Sequence, residues 1–398
     1  HRVRDVVRMQ RDRFIEETPF FTDEHARLAA GVADFAAREV EPLAGGDEGP
    51  GADEHFRALL GLLAQADLLS YAVARGDGTP LDARALCLVR ESLAYHSPLA
   101  DLAFVMQGLG TYAVSLAAPE HVRDFWLARA RSGRSVAAFA LTEPEAGSDV
   151  SAVQTAAARD GDSYVINGRK CFISNAGLAD FYTVFARTGT RADGRAELSA
   201  IVVGARMPGF RVTARTEMVA AHPIGEVEFD GVRVPAEDRV GEEGDGFRLA
   251  MQTMDMFRAS VGAAACGMAR RALDEAVWHA TTRRQFGVTL AMHQLIQEKL
   301  AVMQTELDAA RLLVYRAAYL KDSGAAASVL TRAASEAKFY ATEAAQRVVD
   351  EAVQIHGGSG LVRGSAVERL YRDVRALRIY EGTTEIQKLI IARELLKE

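Results

Sequence analysis

The chain has 398 residues, a formal net charge of -7 and 49% hydrophobic residues. This length suits two or three packed units, and the composition is that of a globular protein, which excludes a disordered or fibrous chain. The acidic balance argues against nucleic acid as the main partner, and no apolar run approaches the roughly 20 residues that a membrane-spanning helix needs.

The N-terminal segment is rich in arginine and carries no apolar run that resembles a secretion signal. A cytoplasmic location is therefore expected, with an organelle transit peptide as the alternative. Because the numbering opens at His1 with no Met, we expect the true start to have been lost or replaced. The arginines of this segment are Arg2, Arg4, Arg8, Arg11 and Arg13.

Residues 22 to 132 carry helical signals. Thr22 is the predicted N-cap of a segment whose apolar residues fall on one face, and Pro42 follows the end of that segment. Thr79-Pro80 is the predicted cap and first-turn proline of a later helix, which continues until Pro98 interrupts it. The sequence therefore predicts an all-helical N-terminal domain over residues 1–134.

Residues 135 to 240 change to short apolar or alternating runs separated by turn residues, which is typical of strands. Asp230-Gly231 has the composition of a hairpin turn. No long helical pattern lies between the runs, so the middle domain, residues 135–245, is predicted to be an antiparallel β domain. The predicted strand segments are Ser163–Ile166, Cys171–Ile173, Phe181–Phe185, Leu198–Val203 and Val227–Phe229.

The helical period returns after Gly246 and lasts almost to the end of the chain. Two stripes have apolar residues spaced by threes and fours, and the small side chains of the second would let a neighbouring helix approach closely. They predict a C-terminal four-helix bundle over residues 246–398 and, with the preceding segments, an α+β fold. The stripes are Ile296, Leu300, Met303, Leu307, Ala310 and Val314, then Ala334, Ala337, Ala341, Ala344, Val348 and Ala352.

Several familiar site signatures are absent. Cys87, Cys171 and Cys266 are an odd number without C-x-x-C spacing, so neither a disulfide framework nor a metal site is predicted. Gly358-x-Gly360 lacks the third glycine of the dinucleotide fingerprint and follows a helical stripe. The chain has no phosphate-loop lysine motif, no H-E-x-x-H and no G-x-S-x-G, which argues against nucleotide hydrolysis, zinc proteolysis and the usual serine hydrolase site.

Two candidate motifs lie in the predicted β domain. Residues 139–149 leave an apolar strand and enter a turn of hydroxyls, acids and glycine, whose neutral donors suit a phosphate or a polar ring edge. A capped loop is the alternative. Residues 168–175 place the ring of Phe172 and the hydroxyl of Ser174 on one face of a strand, where the ring could equally be ordinary core.

Three further motifs lie in the predicted bundle. Arg283 to Gly287 with Gln294 form the third and residues 354–360 the fourth; a solvated arginine and a helix C-cap are their ordinary interpretations. The fifth, residues 380–387, places the carboxylate of Glu381 beside a glycine and ahead of a hydroxyl pair that could simply cap the last helix.

The order and spacing of these five motifs within a helix–sheet–bundle chain resemble the acyl-CoA dehydrogenase family, from about Thr22 to the C-terminus. The resemblance implies an FAD between the sheet and the bundle and, as the reaction of fatty acid metabolism, dehydrogenation of an acyl thioester to the trans-2-enoyl thioester. Glu381 would be the base, and the hydride would pass to flavin N5. Some relatives carry the base just before the arginine at position 258, but here that residue is Phe257.

The resemblance also implies roles for single residues. Phe172 would stack on the flavin in place of the commoner tryptophan, and Ser174 would hydrogen-bond near N5 in place of the commoner threonine. Further flavin or adenosine contacts would be Leu141, Thr142, Ser148, Thr383 and Glu385. Contacts to the FAD of a neighbouring subunit would be Arg283, Phe286, Gln294, Gln354, Gly357 and Gly358. The thioester substrate would contact Ser148, Asp255, Arg258 and Gly382.

The implied assembly is a homotetramer built as a pair of dimers, and the implied electron acceptor is an electron-transfer flavoprotein. Four alternatives stay open on the sequence. They are a dehydrogenase acting on acyl carrier protein thioesters, an acyl-CoA oxidase, a flavin monooxygenase of the same fold, and a binding protein that retains a degenerate fold.

Overall fold

The computed structural model describes residues 12–45 and 51–397. Arg2, Arg4, Arg8 and Arg11, which belong to the transit-peptide alternative, lie outside these residues. The predicted α+β class, with helices, a middle β region and helices again, is confirmed. The α-helices are α1 Arg13–Glu17, α2 Asp23–Phe35, α3 Ala52–Gln65, α4 Ala83–His96, α5 Pro98–Ala117, α6 Glu120–Arg131, α7 Gly246–Thr282, α8 Gln294–Asp322, α9 Ala327–His356, α10 Ala366–Val374 and α11 Thr384–Leu395.

The strands lie between α6 and α7, apart from one short hairpin after α7. They are β1 Ala137–Ala140, β2 Ala156–Asp160, β3 Ser163–Ser174, β4 Phe181–Thr190, β5 Ala196–Gly204, β6 Phe210–Arg215, β7 Ile224–Pro235, β8 Arg239–Val240, β9 Arg284–Gln285 and β10 Val288–Thr289.

Contacts divide the chain into two compact units, each of which gathers separate stretches of sequence. The helical unit comprises His1–Gly46, Asp82–Asp101 and Phe257–Glu398, and the sheet unit comprises Asp47–Leu81 and Leu102–Met256. The boundaries predicted from the sequence, at 134/135 and 245/246, stay predictions.

The helix starts follow local capping chemistry. Thr22 stands at the N-cap of α2, as predicted, where its backbone N–H donates to Nδ1 of His25 at 3.2 Å. The predicted start at Thr79-Pro80 is wrong, because α4 begins at Ala83 and Asp82 is its N-cap. The Asp82 carboxylate accepts from the N–H of Ala85 at 2.9 Å, so a short acidic side chain three residues later does the capping.

Helix α5 corrects the expectation that no run is long enough to span a bilayer. It has 20 residues, and the mean hydropathy of its most apolar 18-residue window is 1.3, enough by length and composition for such a span. However, 78% of its most apolar window is buried within the protein, as in a core helix.

One eight-stranded sheet lies within the described part of the sheet unit, in the order β6-β7-β3-β2-β4-β5-β8, with β1 beside β4. The neighbours are mostly antiparallel, as predicted, but β1 and β2 pair with β4 in parallel. Asp230-Gly231 does not turn a hairpin. Strand β7 runs on through it, and the register with β3 jumps there, so the pair forms a β-bulge that Gly231 accommodates with a φ of 65°.

The helical unit is built on close approaches between helices. The predicted small-residue stripe of α9 is buried, and a Cβ added at Gly262 of α7 would lie 3.2 Å from Cβ of Ala341. Gly267 of α7 is tighter still, because an added Cβ would lie 2.2 Å from the carbonyl oxygen of Glu91 on α4. These contacts fix the helices that carry the candidate catalytic residues described below.

We therefore expect Gly267→Ala to destabilise the protein by about 2 kcal/mol, since an atom is forced into a filled contact. Gly31→Ala is the matched control, because Gly31 also lies within a helix but an added Cβ meets nothing within 4 Å. That control gains helix propensity and is expected to be neutral or stabilised by up to about 1 kcal/mol. Denaturant unfolding followed by circular dichroism compares the two, and equal midpoints would contradict the packing argument.

Candidate active site

The turn that precedes α11 has an unusual backbone. Glu381 has a φ of 53° and Gly382 a φ of 85°, so two successive residues are left-handed. For a glutamate this conformation costs about 1–2 kcal/mol, whereas glycine adopts it freely. An added Cβ at position 382 would also lie 2.6 Å from Nε2 of Gln387. The sequence Glu-Gly thus permits a turn that most residue pairs would not form.

Side chains from two helices hold this turn. Gln387 of α11 donates from Nε2 to the carbonyls of Glu381 at 3.2 Å and Gly382 at 3.0 Å. Lys338 of α9 donates from Nζ to the same Gly382 carbonyl at 2.6 Å. Thr383 caps α11 by accepting from the N–H of Ile386. The strained conformation of Glu381 is therefore fixed from both sides of the turn.

The carboxyl group of Glu381 is a candidate general base. Its Oε2 atom is buried and has no hydrogen-bond partner among the described residues. Burial raises the pKa of Glu381, and the positive charges of Arg90, Lys338 and Arg258 oppose this without cancelling it. A carboxylate with a raised pKa and a buried, unpartnered oxygen is suited to take a proton from a bound molecule.

Arg90 of α4 is itself neutralised. Its guanidinium donates to both carboxylate oxygens of Asp101 at 2.8 Å and to Oγ of Ser260 at 2.9 Å, and all three side chains are buried. Such a two-point pair fixes both partners. Ser260 lies on α7 two residues after Arg258, so the hydrogen bond from Arg90 to Ser260 joins α4 to the helix that carries another cation near Glu381.

The first motif forms a loop in the sheet unit that a buried ion pair holds. Glu143 is buried and pairs with Nζ of Lys170 at 2.7 Å, and it accepts from the N–H groups of Gln154 at 2.7 Å and Thr155 at 3.0 Å. Lys170 also donates to the carbonyl of Leu141 at 2.9 Å. Burial alone would raise the pKa of Glu143, but Lys170 and these hydrogen bonds lower it.

The hydroxyls of this loop are available to a ligand. Within residues 51–397 neither Thr142 nor Ser148 donates or accepts a side-chain hydrogen bond, and Ser148 is exposed. Leu141, by contrast, is buried at 5% exposure. The ion pair of Glu143 thus holds the loop that carries the two unpartnered hydroxyls.

The second motif lies beside this loop, because the N–H of Cys171 donates to the carbonyl of Thr142 at 3.1 Å. The register of β3 jumps between Lys170 and Ile173, and Phe172 at the irregularity has a φ of 52° and an exposure of 59%. Its ring is therefore turned out of the strand, which contradicts the ordinary core interpretation. The Ser174 hydroxyl lies 2.8 Å from Nε2 of His222.

The third and fourth motifs come together in the helical unit. His279 of α7 and His356 of α9 stack with ring centroids 4.3 Å apart, and the N–H of Arg283 donates to the carbonyl of His279. This brings the helix ends that carry the two motifs side by side. Phe286, at the tip of the β9–β10 hairpin, is 93% exposed with a φ of 52°. The other exposed members of this surface are Arg283, Gln294, Gln354, Gly357 and Gly358.

The remaining predicted residues lie on α7 and α11. Asp255 is half-buried and Arg258 buried, one turn apart on α7, and Phe257 between them is a core residue with no exposed surface. Glu385 is exposed in the first turn of α11. Of these, Arg258 belongs to the charges around Glu381.

Sequence reasoning missed the residues that support Glu381. Lys338 stands between Ala337 and Ala341 within a buried stripe, and Arg90 stands beside Val89 on an apolar helix face. The sequence did contain a signal, namely a charged residue on a face that is otherwise buried. Charged side chains are almost never fully buried unless they are paired, so such a residue indicates a buried partner. The sequence alone does not identify the partner of either cation.

Three family models cover most of the chain. Their descriptions are the N-terminal, middle and C-terminal domains of acyl-CoA dehydrogenase, and they match residues 22–134, 138–232 and 244–396. Among individual proteins, cyclohexane-1-carbonyl-CoA dehydrogenase of Geobacter metallireducens is 37% identical over 384 residues, which are 95% of this chain and 99% of that protein.

Solved structures agree over the same length. Butyryl-CoA dehydrogenase from Megasphaera elsdenii superposes with a TM-score of 0.86 at 34% identity, covering 94% of this chain and 99% of the other. A glutaryl-CoA dehydrogenase from Mycobacterium smegmatis, in complex with FADH2, gives a TM-score of 0.85 at 26% identity, covering 95% and 96% respectively.

The buried pair under the first motif makes a stability prediction. Lys170→Met leaves Glu143 buried without its cation and is expected to lower the free energy of unfolding by about 3–5 kcal/mol. The double variant Lys170→Met/Glu143→Gln removes the unpaired buried charge, while the amide oxygen of the new glutamine still accepts from the N–H of Gln154. It should therefore recover part of the lost free energy of unfolding. Urea unfolding of both proteins measures the difference, and a double variant no more stable than the single one would refute the interpretation.

Proposed function

This chain belongs to the acyl-CoA dehydrogenase family, and we propose that it dehydrogenates an acyl thioester across its α and β carbons, with Glu381 as the base. One observation carries the proposal. Oε2 of Glu381 is buried and unpartnered, in a strained turn that Lys338 and Gln387 hold.

The carboxylate would take the α proton of the substrate. Removing Glu381 from water makes it a stronger base than a solvated carboxylate, and its fixed backbone limits the directions from which a carbon acid is attacked. FAD, when bound, supplies the acceptor for the hydride that leaves the β carbon. The product is then the trans-2-enoyl thioester, with the proton on Glu381.

The residues of the sheet unit fit a flavin. The exposed ring of Phe172 offers a flat apolar face, and the hydroxyls of Thr142 and Ser148 lack protein partners. Ser174 would contribute its hydroxyl, which His222 orients. The family is one of flavoproteins, and the Mycobacterium smegmatis relative binds FADH2. These residues, with Leu141, Thr383 and Glu385, are the proposed contacts to FAD.

A second subunit would complete the cofactor site. The third and fourth motifs form an exposed surface whose apolar members include Phe286, Leu295 at 77% exposure and Leu361 at 76%. Large exposed apolar side chains of this kind are typical of interfaces. We therefore propose a homotetramer, as a pair of dimers, in which Arg283, Phe286, Gln294, Gln354, Gly357 and Gly358 contact the FAD of a neighbouring subunit.

The proposed substrate is an acyl-CoA, and Ser148, Asp255, Arg258 and Gly382 are its proposed contacts. The relatives named above act on cyclohexane-1-carbonyl-CoA, butyryl-CoA and glutaryl-CoA, so the family admits alicyclic, short and dicarboxylic acyl groups. Anaerobic flavin bleaching across a panel of acyl-CoA and carrier-protein thioesters would assign both the acyl group and the carrier.

The proposed electron acceptor is an electron-transfer flavoprotein. Two activities of the same fold are separated from the proposal by their use of oxygen. An acyl-CoA oxidase forms one peroxide for each enoyl product, and a flavin monooxygenase consumes oxygen without forming an enoyl product. Rapid reduction of added electron-transfer flavoprotein with little peroxide would favour the dehydrogenase.

The role of Glu381 predicts that Glu381→Gln still binds FAD but that acyl thioesters bleach its flavin at least about 10²-fold more slowly, because the amide cannot take the α proton. Stopped-flow absorbance under anaerobic conditions measures this. Glu24→Gln is the control, since Glu24 is an exposed glutamate in the first turn of α2. Bleaching of Glu381→Gln at the wild-type rate would remove Glu381 from its proposed role.

The proposed assembly predicts that Phe286→Asp yields smaller oligomers and loses FAD, because a charge is placed in an apolar contact between subunits. Light scattering after gel filtration and the flavin-to-protein absorbance ratio report the two effects. Thr213→Asp places the same charge at an exposed polar residue of β6, outside the third and fourth motifs, and should keep both properties. A flavin-loaded tetramer of Phe286→Asp would contradict the proposed contact.

A further inference from the structure

We propose that Lys338 is a positioning residue for Glu381: its ammonium group fixes the Glu381–Gly382 turn by a hydrogen bond, and its positive charge favours the ionised carboxylate. This inference rests on the proposed role of Glu381 as the base.

The first argument is the placement of the ammonium group. Lys338 has no exposed surface and lies in the small-residue stripe of α9. Its Nζ donates to the Gly382 carbonyl at 2.6 Å, and among the described residues it forms no ion pair. Lys170, the other lysine with no exposed surface, has Glu143 at 2.7 Å. A buried ammonium without an adjacent carboxylate is costly and therefore needs an explanation.

The second argument is the charge that faces it. Burial lowers the pKa of Lys338 to about 8, and Glu381 is the strongest of the charges that oppose this change. Arg258 reinforces the lowering, whereas Glu343 and Glu385 act in the same direction as Glu381. The carboxylate with the strongest electrostatic effect on Lys338 is thus the candidate base itself.

The third argument is the difference between Lys338 and the other cations near Glu381. The guanidinium of an arginine does not lose its proton in proteins, and the charge of Arg90 is in addition neutralised by Asp101, which itself raises the pKa of Glu381. Burial lowers the pKa of Lys338 to about 8, so its charge, unlike that of an arginine, can change within an accessible pH range. The charge of Lys338 is therefore the part of the electrostatic potential at Glu381 that can change with pH.

The sign of the effect follows directly. A protonated Lys338 stabilises the carboxylate and lowers the pKa of Glu381 below what burial alone would give. Removing the charge raises that pKa, so a larger fraction of Glu381 is protonated at a given pH and cannot accept the α proton. We expect the pKa of Glu381 to rise by about one unit, at the lower end of what the loss of an opposite charge typically does to a carboxyl group.

The titration of Glu381 can be measured without any substrate. The infrared band of its protonated carboxyl is isolated as the difference between each protein and its Glu381→Gln counterpart, over a range of pH. Lys338→Met and Lys338→Gln should both shift the titration upward, whereas Lys338→Arg should keep it near the wild-type value. Arg347→Met removes an exposed positive charge from the same helix, where Arg347 pairs with Glu306, and should change nothing.

Flavin bleaching supplies the second measurement. The rate falls at low pH as Glu381 becomes protonated, and this fall should move to higher pH by the same amount in Lys338→Met. Lys338→Gln retains a donor for the Gly382 carbonyl, so its maximal rate should exceed that of Lys338→Met, in which the turn is also released. The comparison separates the hydrogen bond from the charge.

The outcomes distinguish this inference from the proposed function. If the wild type bleaches with no thioester, the proposed function fails, while the infrared titration still tests Lys338. An unchanged titration in Lys338→Met overturns the inference even where the wild type is fully active. Should Lys338→Met fail to fold, Lys338→Gln and Lys338→Arg carry the same test, and an identical titration in these two overturns it.

Discussion

The structure around the candidate site depends on holding a carboxylate out of water in a backbone conformation that glutamate disfavours. Burial raises the proton affinity of Glu381, and a left-handed φ fixes where its side chain points. Burial of the carboxylate and the left-handed backbone are each energetically unfavourable. Hydrogen bonds from Lys338 and Gln387 to the turn carbonyls oppose the backbone cost, and nearby cations keep the carboxylate ionisable. The site is thus a balance between desolvation and fixed positive charge.

The sheet unit contains a second combination of a carboxylate and a buried lysine, which has a structural role. Glu143 and Lys170 are also a buried carboxylate and a buried lysine, but they contact each other directly, and Glu143 has backbone donors on its remaining lone pairs. Such a saturated pair is a scaffold. Glu381 differs in having an oxygen that no donor of the described residues reaches. Comparing the two carboxylates separates a structural acid from a candidate base more clearly than burial does.

Much of the fold follows from periodicity, since the stripe of α9, the cap at Thr22 and the strand segments need only local chemistry. The errors arise where a local signal has two outcomes. Asp230-Gly231 suits a bulge as well as a hairpin, and cross-strand pairing with β3 selects the bulge. The site residues came from resemblance, because each motif alone had an ordinary interpretation. Lys338 was missed because its partner is a backbone carbonyl 44 residues later, which no sequence pattern encodes.

Backbone strain is the feature that joins the separate motifs. Five non-glycine residues in the described chain have a positive φ, and three of them, Phe172, Phe286 and Glu381, come from different candidate motifs. An aromatic ring or a glutamate gains nothing from this conformation in a folded chain, so each must be held by its surroundings. The rings of Phe172 and Phe286 are exposed, and the contact of an apolar ring with water is unfavourable. Strain and exposure together are therefore what the proposed contacts of these rings with a flavin and with a second subunit would explain.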